Sequence, residues 1–73
     1  MTKYMNLSGN SNVEAYEIGE DHITVKFFGT WRTYTYSYYS AGRENVEKAK
    51  GLAKQGQGLN SFIMREMKYD YEN

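Results

Sequence analysis

Ile23-Thr24-Val25-Lys26-Phe27-Phe28-Gly29-Thr30-Trp31-Arg32-Thr33-Tyr34-Thr35-Tyr36 is the stretch on which the fold turns. Its first five residues alternate apolar and polar, the period of a half-buried strand. Gly29-Thr30 follows, and a glycine at the first central position suits a two-residue type II′ hairpin loop. Such a loop pairs Phe28 with Trp31, and it therefore predicts Phe27 opposite Arg32, Val25 opposite Tyr34 and Ile23 opposite Tyr36. Opposed residues share a face, so one side of the hairpin collects Ile23, Val25, Phe27, Tyr34 and Tyr36. The other side receives Thr24 with Thr35, Lys26 with Thr33, and Phe28 with Trp31 near the turn. The first is a core face; the second is polar except at its aromatic tip.

Upstream, residues 13–18 are rich in β-formers but break phase. Val13 and Ala15 lie on one parity, Tyr16 and Ile18 on the other, which predicts a bulge near Glu14 and Ala15. Gly19-Glu20-Asp21 supplies the intervening turn. The polar segment 1–10 is expected to be a flexible N-terminus, leaving residues 11–73 as one domain.

Downstream of the hairpin the period moves towards 3.6. Ser40 can cap a helix over 41–55 whose stripe is Val46, Ala49 and Ala53 with Leu52 beside it, and Gly56 stands where a terminating glycine belongs. Gly51 in the interior costs up to about 1 kcal/mol, which predicts a packing reason for a small residue there. Asn60 is expected to cap a second helix ending near Lys68, with Leu59 and Met64 spaced as a hydrophobic staple. The fold class is α+β: a three-stranded antiparallel β-meander followed by two short α-helices packed on one face.

At 73 residues and 8.5 kDa the chain is one small domain that buries only about 60% of its unfolded surface, so its 16% aromatic content must supply much of the core. It contains no Cys, which removes disulfides, thiolate metal sites and Cys nucleophiles. No apolar run reaches the roughly 18 residues of a membrane span, and the first residues lack a signal peptide's apolar stretch; a cytoplasmic protein is the expectation. The single histidine, His22, lies beside Glu20 and Asp21 in a turn and reads as a solvated residue. No metal, cofactor, small-molecule substrate or catalytic constellation is expected, so the chain reads as a non-enzyme.

Charge sums to zero but is unevenly spread. Residues 43–68 hold six bases against three acids, whereas 14–21 hold four acids and no base. Gly56-Gln57-Gly58 before the second helix reads as a cap and a tight turn. Tyr34 and Tyr36 belong to the core face. Phe28 and Trp31, with Lys26 and Arg32 beside them, form an aromatic and basic tip of the kind on which single-stranded bases stack. Lys54, Arg65 and Lys68 extend the basic surface. The expected partner is RNA or single-stranded nucleic acid. The alternative is a protein-interaction module or homodimer using the same tip, with no nucleic-acid role.

Ser11-Asn12-Val13 with Tyr16, the strand 23–27, Gly29, Tyr34-Thr35-Tyr36, and the run Ala53-Lys54-Gln55-Gly56-Gln57-Gly58-Leu59-Asn60-Ser61-Phe62-Ile63 together resemble the KTSC domain. This family comprises small stand-alone bacterial and phage proteins and C-terminal domains of some lysyl-tRNA synthetases. The resemblance covers roughly residues 11–71. It implies structural roles for Val13, Tyr34, Tyr36, Gly56, Leu59, Asn60 and Ile63, and the company of a tRNA synthetase suggests nucleic-acid binding. The chain departs from the family in its first turn, at Gly58, and in having no Pro before the first helix, all of which bear on loop geometry.

Overall fold

The structure, a computed structural model, describes residues 1–72. A four-stranded antiparallel sheet in the order β1-β2-β3-β4 is built from β1 (Thr2–Lys3), β2 (Val13–Ile18), β3 (His22–Phe27) and β4 (Thr33–Ser37). Three helices follow: α1 (Tyr38–Ala41), α2 (Arg43–Gln55) and α3 (Leu59–Glu66). The α+β class with an antiparallel meander followed by helices therefore stands. The counts of three strands and two helices do not.

The register of the central hairpin follows the expected pairing: Ile23 faces Tyr36, Thr24 faces Thr35, Val25 faces Tyr34 and Lys26 faces Thr33. Its loop is longer than two residues, because β3 ends at Phe27 and β4 begins at Thr33. Phe28 does not pair with Trp31; its N–H donates to the Asn12 carbonyl at 2.8 Å, tying the tip to the strand on the other side. The Arg32 N–H turns back onto the Thr30 hydroxyl at 3.1 Å, a local Ser/Thr turn that ends the strand pairing early. The bulge also lies where the phase break places it. Val13 opposes Phe27 while Ala15 opposes Lys26, so Glu14 is the extra residue, and beyond it Tyr16 and Ile18 return to the core side.

The first ten residues are not a loose head. Thr2 and Lys3 pair with Tyr16 and Ala15, and Tyr4 is only 2% exposed. The Leu59 N–H donates to the Tyr4 hydroxyl at 3.3 Å, and the Leu7 N–H donates to the Gly56 carbonyl at 2.7 Å. The segment thus crosses from the sheet edge to the connection between α2 and α3.

The helix boundaries shift for similarly local reasons. Ser37 and Ser40 form a reciprocal capping box around α1, so Ser40 sits inside a one-turn helix instead of capping α2. Gly42 then precedes α2, and Gly56 ends it in the left-handed conformation (φ 79°). α3 starts at Leu59 after left-handed Gly58, so Asn60 is already helical and caps nothing. Met64 is exposed, which leaves Leu59 without its expected staple partner; α3 stops at Glu66, two residues short of Lys68.

One core joins the layers. Ile23, Val25, Phe27 and Tyr36 from the sheet meet Val46, Ala49 and Ala53 from α2 and Leu59, Phe62 and Ile63 from α3, closed by Tyr4, Val13 and Met67. No helix among the described residues is long and apolar enough to cross a membrane.

Candidate functional site

Past the end of α3 the chain turns back along the outer side of β4. The Ser40 hydroxyl donates to the Asp70 carbonyl at 2.8 Å, and the Glu72 N–H donates to the Thr35 carbonyl at 2.8 Å. These two bonds seat the Tyr71 ring edge-on against Tyr34 (4.9 Å between centroids) and Tyr36 (6.2 Å). Phe27 meets Tyr34 in the same manner at 5.7 Å, an edge-to-face chain favoured by ring quadrupoles.

Between this aromatic chain, the hairpin tip and α3 lies a groove of about 410 Å³. Phe27 and Tyr36 line it from the sheet. Phe28, Thr30 and Asn12 stand on the tip side, and Tyr34, Tyr69 and Tyr71 on the tail side. Asn60, Met64 and Lys68, spaced four residues apart, give the remaining wall a polar, then apolar, then cationic order. Among the described residues no carboxylate lines it. Two cations flank the aromatics: Lys68 lies 5.3 Å from the Tyr69 ring, and the Arg32 guanidinium lies 5.0 Å from Tyr34 and 6.0 Å from Tyr71. Burial, reinforced by Tyr34, Tyr71 and Asp70, pushes the Tyr36 hydroxyl up to about 12, so this wall is neutral at physiological pH.

The sequence candidates therefore divide. Phe28 and Lys68 line the groove, and Arg32 stacks beside it. Phe28 faces the space shared with the core-side residues Tyr34 and Tyr36, not the open sheet face. Trp31 is 90% exposed and stands outside the lining. Lys26 is on the open face and is held at 2.7 Å by Glu14, the bulge residue. Arg65 pairs with Glu66 at 3.0 Å and lies over Phe62, and Lys54 is exposed at the end of α2; neither lines the groove. Tyr69, Tyr71, Met64, Asn12 and Thr30 were not named as site residues from the sequence. The alternation Tyr69-Asp70-Tyr71 just past a helix end was the available signal, since period two there marks an extended segment lying on a sheet.

A second polar cluster is spoken for structurally. Lys50, 8% exposed, donates to the Glu20 carbonyl at 2.9 Å and pairs with Glu47 at 2.9 Å, while the Tyr38 hydroxyl donates to Glu47. Hydrogen bonds from Tyr38 and then Lys50 hold the Glu47 carboxyl below its usual range. Donation to Glu47 in turn raises the Tyr38 hydroxyl. Burial alone would lower Lys50, but the Glu47 pairing outweighs it and its ammonium is held above the ordinary value. Every member stabilises its partner's present protonation state, which suits a clamp between α2 and the β2–β3 turn and not a proton-transfer site.

Comparison with known proteins gives no matching family model, no matching curated protein and no matching solved structure.

Proposed function

We propose that this chain is a non-enzymatic, KTSC-like binding module that takes single-stranded nucleic acid, RNA above all, in the groove between the hairpin tip, α3 and the C-terminal segment. The observation that carries this reading is the lining itself: the exposed rings of Phe28 and Tyr69 beside half-buried Tyr34 and Tyr71, no lining carboxylate among the described residues, and Lys68 and Arg32 at the edges. Aromatic walls stack bases of any sequence, and flanking cations take the phosphates between them. Trp31 offers a further platform for a neighbouring base.

The test is the salt dependence of binding to short labelled RNA and DNA oligomers, read by fluorescence anisotropy. The Lys68 phosphate contact on a single strand gives a logarithmic salt slope of about −0.7, so a fourfold rise in salt lowers affinity about 2.6-fold. Phe28→Ala or Tyr71→Ala should weaken binding by about 1–3 kcal/mol each, the worth of one stacked base. Retention of affinity in both variants overturns the reading. The protein-interaction alternative draws on the exposure of Phe28, Trp31, Met64 and Tyr69 around the same groove. It predicts self-association or protein binding that survives the same rise in salt.

A further inference from the structure

Two side-chain amides line the groove, Asn12 exposed on the tip side and Asn60 half-buried on α3, and Asn60 is the one whose surroundings hold it in place to read a base. It is the second residue of α3; Gly58 holds the cap position before the helix, and the Tyr4 hydroxyl accepts from the first helical N–H, that of Leu59. The Asn60 amide is therefore released from capping. It is half-buried, makes no side-chain hydrogen bond among the described residues, and lies where the aromatic groove adjoins a small polar hollow of about 40 Å³ lined by Ser8, Asn10 and Ser61.

We infer that Asn60 is the specificity-determining residue of the groove, donating to and accepting from the edge of one base that is stacked among Phe28, Tyr34 and Tyr71. This inference rests on the nucleic-acid reading. Stacking brings a base's flat face to the rings and leaves its edge pointing along the groove, and an amide presents a donor and an acceptor side by side to such an edge. A base entering the groove strips water from the amide. A base whose edge complements it restores both hydrogen bonds; one that does not leaves a half-buried amide unpaired, and that cost is what discriminates. The neighbouring wall residues, Met64 and Lys68, are an apolar contact and a donor-only point charge, and neither presents a donor and an acceptor side by side.

The experiment compares short oligomers of uracil, cytosine, adenine and abasic units with the wild-type chain and with Asn60→Ala and Asn60→Asp, in anisotropy at one salt concentration and then at a second. Amide spectra of each variant establish that it folds. Stacking strength alone ranks bases to some degree, so the diagnostic quantity is the change in ranking on substitution. A two-bond edge contact supplies about five- to 150-fold discrimination. The ratio of affinities between the preferred and the disfavoured bases should therefore fall at least about fivefold in Asn60→Ala, by loss at the preferred base, by gain at the disfavoured ones or by both, while the abasic oligomer holds within about twofold and the salt slope is unchanged. Asn60→Asp, which removes the donor and keeps the size, should reorder the bases. The inference is overturned if Asn60→Ala weakens all oligomers alike or leaves the ratio between preferred and disfavoured bases as it was. Failure of the underlying reading looks different: the wild-type chain then binds no oligomer with a salt slope, and the inference falls with it.

Discussion

Two glycines show how differently one residue type can act in a chain this small. Gly51 sits on the exposed side of α2 with no atom within 4 Å of where a Cβ would stand, so the packing reason expected from the sequence is absent there. Gly51→Ala should stabilise the protein by about 0.5–1 kcal/mol, by restricting the unfolded chain and restoring helix propensity. Gly56 is the opposite case. Its φ of 79° is left-handed, and a Cβ there would approach the Met5 Cβ to 2.7 Å. Gly56→Ala combines backbone strain with displacement of the N-terminal segment and should cost more than about 1 kcal/mol. Urea unfolding of the two variants beside the wild type checks both signs. For a domain of this size 1 kcal/mol moves the thermal midpoint by about 4–8 °C, well within the precision of a melting curve.

At the scale of elements, the hairpin was legible because both of its signals are local. Alternation of Ile23, Val25 and Phe27 set the face, and the glycine at position 29 set the index sum that Val25 with Tyr34 and Ile23 with Tyr36 obey. The bulge was legible too, from the phase break alone. β1 was not. Two residues carry no periodicity, and Tyr4 finds its place only through a contact with Leu59, 55 positions along the chain. Asn60 was misread as a cap because the helix begins one residue earlier than its capping propensity suggests, at Leu59, after Gly58 in the left-handed conformation. Tyr4→Phe should therefore cost about 1 kcal/mol by leaving the Leu59 N–H without its buried acceptor, whereas Tyr4→Ala should cost about 3–5 kcal/mol by also emptying the ring's site. A Tyr4→Phe variant as stable as the wild type in urea would show that α3 needs no cap from the N-terminal segment. The site was legible to the same limited degree. Phe28 and Lys68 could be named from composition, but the groove joins them through Tyr71 and Met64, residues that only the return of the chain along β4 brings near.

For the whole molecule, the decisive quantity is how little stability 73 residues can hold. At about 0.05–0.15 kcal/mol per residue the total is roughly 4–11 kcal/mol, so one buried ionisable group can move a large share of it. Tyr36 is that group: it is 1% exposed and joins β4, the core and Tyr71 in one place. Burial raises its hydroxyl from 10.0 to about 12, which means the folded state favours the neutral phenol. The resulting stability is fully present below pH 10, the unfolded value, and is lost as the pH climbs towards 12; the shift sets an upper bound of roughly 3 kcal/mol. Lys50, whose ammonium is also held above its ordinary value, loses its pairing with Glu47 in an overlapping range, so the wild-type slope alone does not isolate the tyrosine. Tyr36→Phe does isolate it. Urea unfolding at neutral pH, pH 10 and pH 12 should show the wild type losing more stability than Tyr36→Phe across the upper interval, by up to about 3 kcal/mol. Parallel curves would mean that the phenol reaches water in the folded state, and the groove wall that Tyr36 shares with Tyr71 would then be looser than its packing indicates.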